Sequence, residues 1–295
     1  MNQWSETIGK VRQRVERVAE KDLMGLASLL DYSLTNASGE FCLPWPDDAM
    51  PPFAHWLNGN VHAPQSALGE DGHPAKGSFL PDMSFPRRMW AGSRVSLLQD
   101  YSVGQVLNHT ETIKAIEQKT GRSGEMVFVQ VLHEYFCEDS LVLREEQDIV
   151  YRAAAGAPTP RAKPLAEAEI LAGHDYDWFI AVHPDPVLLF RYSAVTYNGH
   201  RIHYDRDYAT QVERYPGLVV HGPLIATLLV DLYQRNNPGG QVSEFAFKSL
   251  GPLFDIDPFY LLGKQCDSGA NLSAVNCEGE IAMQMKLSIQ SVSLK

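Results

Sequence analysis

The stretch Phe190-Arg-Tyr-Ser-Ala-Val-Thr-Tyr-Asn-Gly-His-Arg-Ile-His-Tyr-Asp205, followed by Val219-Val-His-Gly-Pro-Leu-Ile225, is where residue types and spacing point to chemistry. It gathers Asn198, His200, Arg201, His203, Asp205 and, after one connection, His221. The Gly222-Pro223 pair suits a helix start, because Pro in the first turn loses no needed hydrogen bond. The amides near Gly222 would then face any developing negative charge. Asn and His beside such a helix end can hold a water and an oxyanion together. The same histidines also suit a purely hydrogen-bonded structural role. His200, His203 and Asp205 are competent metal ligands, but their spacing matches neither H-E-x-x-H nor a zinc finger, so no metal is expected.

The elements that must carry these residues follow from periodicity. Apolar density from Leu218 to Leu232 predicts a largely buried helix, preceded by a short helix over Leu188–Val195 and an apolar stretch, Trp178–Val182. Strands are expected at 245–250, at 259–263 with 271–275, and at 281–289, where apolar residues alternate at period two. In the first part, Val11, Val15, Val18 and Ala19 recur at helical spacing, and a second helix is expected from Leu23 with Leu26, Leu29 and Leu30 on one face. Strands are expected at 107–116, 127–133 and 141–151, while 42–93, rich in Pro and Gly, reads as irregular. Small residues and prolines from Ala153 to Pro164 read as a linker. The organisation expected is therefore 1–152, a linker over 153–174, and 175–295, with each half opening on helix and closing on strands, an α+β arrangement.

Composition narrows the function. Against 36 Asp+Glu stand 25 Lys+Arg, a formal charge of −11, which argues against a nucleic-acid binder. With 44% hydrophobic and 21% charged residues, the composition is that of a globular chain. The longest apolar run, Gly222–Val230, is too short to span a membrane. The opening MNQWSETIGK lacks a signal-peptide core, and the widely spaced Cys42, Cys137, Cys266 and Cys277 form no C-x-x-C. A cytoplasmic protein with reduced thiols is expected.

Tyr192–Asp205 with the downstream Val-His-Gly-Pro resembles the signature of MaoC-like (R)-specific enoyl-CoA hydratases, in which Asp, four residues, then His is followed by a His-Gly that opens the central helix. Nearly the whole chain is similar to the double-hotdog subgroup of mesaconyl-C4-CoA (3-methylfumaryl-CoA) hydratase and itaconyl-CoA hydratase. The similarity runs through Ala63-Pro-Gln-Ser, Gly69-x-Asp-Gly-His-Pro74, Pro86-Arg-Arg-Met-Trp-Ala-Gly92, Gly121-Arg-Ser-Gly124, Glu145-Glu-Gln-Asp-Ile-Val-Tyr151 and Pro252-Leu-Phe-Asp-x-Asp-Pro258.

The resemblance implies two hotdogs forming a pseudo-dimer, with one active site carried by the second half and an acyl pocket shaped by the first. It implies a hydro-lyase in which His203 is the acid/base, Asn198 holds the water and the Gly222 amide polarises the thioester carbonyl. The substrate would be a C5 dicarboxylic enoyl-CoA, and the product citramalyl-CoA. The departure is Asn198, where the pattern has Asp: an amide orients water but takes no proton. His203 would then be the sole acid/base at the site, or His200 or Asp205 would assist; the competing reading is an inactive acyl-CoA-binding module. A third reading is a hydratase or dehydratase of another (R)-3-hydroxyacyl thioester. For the substrate carboxylate the candidates are Arg87, Arg88 and Arg201, with His200 and His221 also lining the site. For CoA phosphates they are Lys248 or Arg191. No cofactor is implied, CoA being part of the substrate; neither nucleic acid nor membrane is a partner, and a homodimer is compatible with the fold.

Overall fold

The computed structural model describes residues 4–45, 50–121, 124–153 and 162–290. Its contacts separate two units. One takes the chain through residue 155 together with Ala194–His200; the other takes residues 156–193 and the chain from Arg201 onward.

The first unit contains β1 (Val11–Arg17), α1 (Glu20–Leu29), β2 (Arg87–Leu97), β3 (Val106–Gly121), β4 (Gly124–Cys137) and β5 (Ser140–Arg152). All pairings are antiparallel, in the order β1-β3-β4-β5-β2. Val127, Val129 and Val131 alternate inward from β4 and join Ile113, Ile116, Ile149 and Tyr151 in one apolar cluster. Each such side chain removed from water contributes about 1.5–3 kcal/mol. α1 buries Leu23, Leu26, Ala27 and Leu29, as its spacing predicts, and carries Glu20 and Asp22 at its positive end.

Two expectations fail here. Of the valines at helical spacing, Val11 and Val15 belong to the edge strand β1, where they are 53% and 72% exposed, and Val18 follows it, buried. Its inward face is polar instead: Arg12 forks onto Glu111 at 2.5 and 2.7 Å, and Glu16 lies 2.9 Å from His109. Period-two burial of charged residues defeats an argument that counts only apolar ones. The region read as irregular ends early as well, since β2 begins at Arg87 and pairs along β5.

The second unit contains α2 (Glu167–Ala172), β6 (Trp178–Val182), α4 (Gly222–Asn236), β7 (Val242–Ser249), β8 (Phe259–Cys266), β9 (Gly269–Val275) and β10 (Ile281–Ile289). Ahead of α4 comes α3 (Pro186–Val195), whose last residues fall in the first unit. The sheet order is β7-β10-β9-β8-β6, again antiparallel. α4 packs on β6, β8, β9 and β10, burying Leu224, Ile225, Ala226, Leu229, Val230, Leu232 and Tyr233. Each unit is thus a hotdog, a helix against an antiparallel sheet; the first meets the strand β1 before its helix, and the second meets the short helix α2 before β6.

The helix expected from Leu218 starts instead at Gly222. Leu218–Val220 is extended, bridged at Val219 to Phe254, and Val220 donates its N–H to the Leu253 carbonyl at 2.9 Å. Part of the expected linker, residues 154–161, lies outside the described residues. Its later part is not all linker: α2 places Ile170 among Tyr260, Leu262 and Val275. No described helix is long and apolar enough to cross a membrane, and all four cysteines are free thiols.

Candidate active site

The sequence motif is divided by the fold. Asn198 and His200 belong to the first unit, His203, His221 and Gly222 to the second, and the chain passes directly from His200 to Arg201.

In the second unit, His203 donates Nδ1–H to the Val219 carbonyl at 2.7 Å. In the neutral ring this leaves the lone pair on Nε2, the form a general base requires. Several contacts hold that carbonyl in place. The buried Asp255 carboxylate accepts the Leu218 N–H at 2.8 Å and pairs with Arg206. Gly217 leaves room for it, since a Cβ there would sit 2.7 Å from the same carboxylate. The Pro252–Pro258 motif therefore acts on His203 through the backbone of the 218–220 strand.

His221 stacks on His203 with ring centroids 3.6 Å apart and planes 17° from parallel. It is fully buried, 2.8 Å through Nε2 from the Ser193 hydroxyl. Burial, and secondarily the neighbouring His203, hold its pKa well below the ordinary histidine value, so it stays neutral. Its contact is to rings and a hydroxyl, which makes it a packing partner of His203. Gly222 opens α4 after His221, with Pro in the first turn, so its N–H is among the amides that the helix cannot satisfy internally. A Cβ at Gly222 would come no closer than 3.9 Å to Ser249 Oγ, leaving the approach to that amide uncrowded.

Arg201 is engaged locally: it donates from Nε and Nη2 to Asp205 at 2.9 and 2.7 Å and lies 4.3 Å over the Tyr208 ring. Asp205 also accepts the Tyr208 N–H at 3.1 Å and is held low in pKa by that bond and by Arg201. It is thereby committed to the turn that follows His203. Arg191 is exposed on α3, and Lys248 is exposed on β7 opposite Gln284.

In the first unit, α3 ends in a turn with Tyr197 in the left-handed region at φ 51°, its ring 4.5 Å from that of His62. A non-glycine residue there carries strain and re-aims the chain at Asn198. Asn198 Oδ1 accepts the His200 N–H at 3.0 Å. The His200 ring lies 4.1 Å from that of His73, which pairs through Nδ1 with Asp71 at 3.1 Å. Arg87 and Arg88 begin β2 opposite Arg152 and Tyr151, and successive strand residues face opposite sides. Arg87 is buried; Arg88 carries its charge beside Asp71 and His73. Asp71, His73, Ser193 and Asp255 were not singled out by spacing: all four sit in quoted stretches without an evident role, and the contacts of Ser193 with His221, of Asp255 with Leu218 and of His73 with His200 are distant in sequence.

Among the described residues, two sets of side chains, Asp71–His73–His200 and His109–Glu111–His133, bring possible metal-ligand atoms within 4.8 Å of one another. Both are already knit by hydrogen bonds and cations. Arg12 and Arg14 sit on Glu111, His109 Nε2 lies 3.0 Å from His133 Nδ1, and Arg88 attends Asp71.

Three comparisons place this geometry. The family model for hydroxyacyl-thioester dehydratase type 2 matches residues 53–255. The mesaconyl-C(4)-CoA hydratase of Chloroflexus aurantiacus is 42% identical over 280 residues, 95% of each chain. Among solved structures, a MaoC-like dehydratase from Phytophthora capsici superposes with TM-score 0.67 at 13% identity over 98% of each chain. The double-hotdog protein Rv0216 of Mycobacterium tuberculosis superposes at 0.56 and 15% identity over 96% of each. This chain belongs to the hydroxyacyl-thioester dehydratase type 2 family of MaoC-like double-hotdog proteins.

Proposed function

We propose that this protein hydrates a C5 dicarboxylic enoyl-CoA of the mesaconyl-C4-CoA type, giving citramalyl-CoA. The observation that carries the chemistry is the His203 Nδ1–Val219 carbonyl bond, which makes Nε2 the proton-accepting atom. The near-full-length similarity to a mesaconyl-C(4)-CoA hydratase supports the substrate class. His203 Nε2 takes a proton from water held by Asn198, the water oxygen adds to Cβ, and the Gly222 amide stabilises the enolate oxygen at the positive end of α4. The proton then passes from His203 to Cα. CoA enters as part of the substrate, and the reaction calls for no cofactor.

Of the candidate arginines, Arg88, half-buried beside Asp71 and Tyr151, is assigned the distal carboxylate. Arg201 is held by Asp205 and Tyr208, and Arg87 is buried. The N-terminal hotdog, which holds Arg88, is assigned the acyl group, and the C-terminal one the acid/base. The test follows enoyl-thioester absorbance and free thiol together on mesaconyl-C4-CoA, itaconyl-CoA and crotonyl-CoA. Loss of the enoyl signal without thiol release, abolished in His203→Ala, is expected. Binding without turnover would instead make the chain an acyl-CoA-binding module.

A further inference from the structure

Within the first unit, one cluster of a carboxylate and two imidazoles takes no part in the acid/base step above. Asp71 and His73 stand on a tight loop. Gly69 donates its N–H to the His73 carbonyl at 2.8 Å, and Gly72 donates to the Gly69 carbonyl at 3.0 Å. Gly72 holds φ 86°, a left-handed value that suits glycine. The Asp71 carboxylate accepts the His73 backbone N–H at 3.0 Å and its Nδ1–H at 3.1 Å. The 194–200 segment of the same unit brings up His200, whose ring centroid is 4.1 Å from that of His73 with the planes 44° apart. A Cβ on Gly199 would meet the Gly72 carbonyl oxygen at 2.9 Å, so loop and turn approach one another over two glycines.

These are the separations of ligands that share an ion. Asp71, His73 and His200 each offer a ligand atom within 4.8 Å of the other two. Zinc holds imidazole nitrogen and carboxylate oxygen at about 2.0–2.2 Å, so two neighbouring ligand atoms on it stand about 3.0–3.4 Å apart. His73 Nδ1 and Asp71 Oδ2, at 3.1 Å, already have that spacing. Their side chains are 20% and 25% exposed, which gives an ion a way in. The other such cluster, His109–Glu111–His133, differs on both counts. It is buried throughout, and Arg12 and Arg14 hold ion pairs with Glu111. Beside Asp71 and His73 the cation is Arg88, whose charge weakens the site without filling it.

We propose that Asp71, His73 and His200 form a binding site for a divalent transition metal of the Zn2+, Ni2+ or Co2+ class, which clamps the 69–74 loop to the turn that carries Asn198. Two imidazoles and one carboxylate suit these borderline ions and leave a further position to water. The ion replaces the Nδ1 proton between His73 and Asp71; that proton moves to Nε2, so the ring stays neutral and none is released. The hydration step does not use the ion, and the site stands or falls separately from the hydratase reading.

The test uses the full-length protein after treatment with EDTA, and reads Tm and the visible absorbance of added Co2+. A rise in Tm of about 5 °C is expected when Zn2+ is about a hundredfold above its Kd. Co2+ should give d–d bands that saturate at one equivalent and vanish when Zn2+ displaces it. Both responses should be lost in His73→Phe, which keeps a ring against His200 but offers no lone pair, and in Asp71→Asn. Both should survive in His133→Gln, which removes a ligand of the other cluster. Absence of both responses in the wild type overturns the site. So does their persistence in Asp71→Asn, or their loss in a folded His133→Gln. Wild-type titration with Co2+ and Asp71→Asn decide the matter if His73→Phe does not fold.

Discussion

The Val219 carbonyl accepts the Nδ1–H of His203 at 2.7 Å, and the strand that presents it is tied down by Asp255, whose side chain is 1% exposed. Removing that carboxylate leaves the Leu218 N–H and Arg206 without their partner, at a cost of about 1–3 kcal/mol. Because Asp255 acts on the orientation of His203, Asp255→Ala should lower kcat about tenfold or more while leaving KM near its wild-type value. Kinetics beside a melting curve check this; an unchanged kcat with a lowered Tm would restrict Asp255 to folding.

Stability should fall steeply in mild acid. His109 and His133 are held by burial at about 3 and 4, His73 at about 4, and His221 lies well below its ordinary value. Each binds a proton near pH 6.5 in the unfolded chain but not in the fold. Stability is therefore fully present above that pH and is lost as pH falls, by about 1.4 kcal/mol per unit for each group. Glu16, raised by burial to about 7, works the other way between its unfolded value and 7. Histidines outnumber it, so the net slope is positive. Urea unfolding at pH 7.5, 6.5 and 5.5 should show the midpoint dropping, and His133→Gln should flatten the dependence. A flat profile in the wild type contradicts this account.

Gly199 is needed for the close approach of the Gly72 carbonyl. Gly199→Ala should push the 69–74 loop away from His200 and separate the Asp71–His73 pair from the Asn198 turn. A loss of the Zn2+ response comparable to that of Asp71→Asn is expected, with the Tm of the metal-free protein lowered by only a few degrees. A wild-type response in this variant would show that the contact is not required.

The hydrophobic pattern carried most of the fold because the strands β4 and β10 and the helix α4 bury what their periods predict. It failed at β1, where the buried side is Arg12, Arg14 and Glu16 and the partners lie on β3, about a hundred residues away. The site divides in the same way. His203, Asn198 and Gly222 stand in one readable motif. Asp255 and the Asp71–His73 pair act through single hydrogen bonds and ring contacts to that motif, and no local spacing encodes them.

Arg88 gives the substrate reading its sharpest check. A planar guanidinium binding the distal carboxylate favours a dicarboxylic acyl chain over a plain one, and a hydrogen bond to a charged group contributes about 1.5–3 kcal/mol. Arg88→Ala should therefore lower kcat/KM for mesaconyl-C4-CoA by roughly 10- to 100-fold while leaving that for crotonyl-CoA nearly unchanged. Equal losses on both thioesters would assign Arg88 to the Asp71–His73 pair alone and leave the carboxylate to another cation.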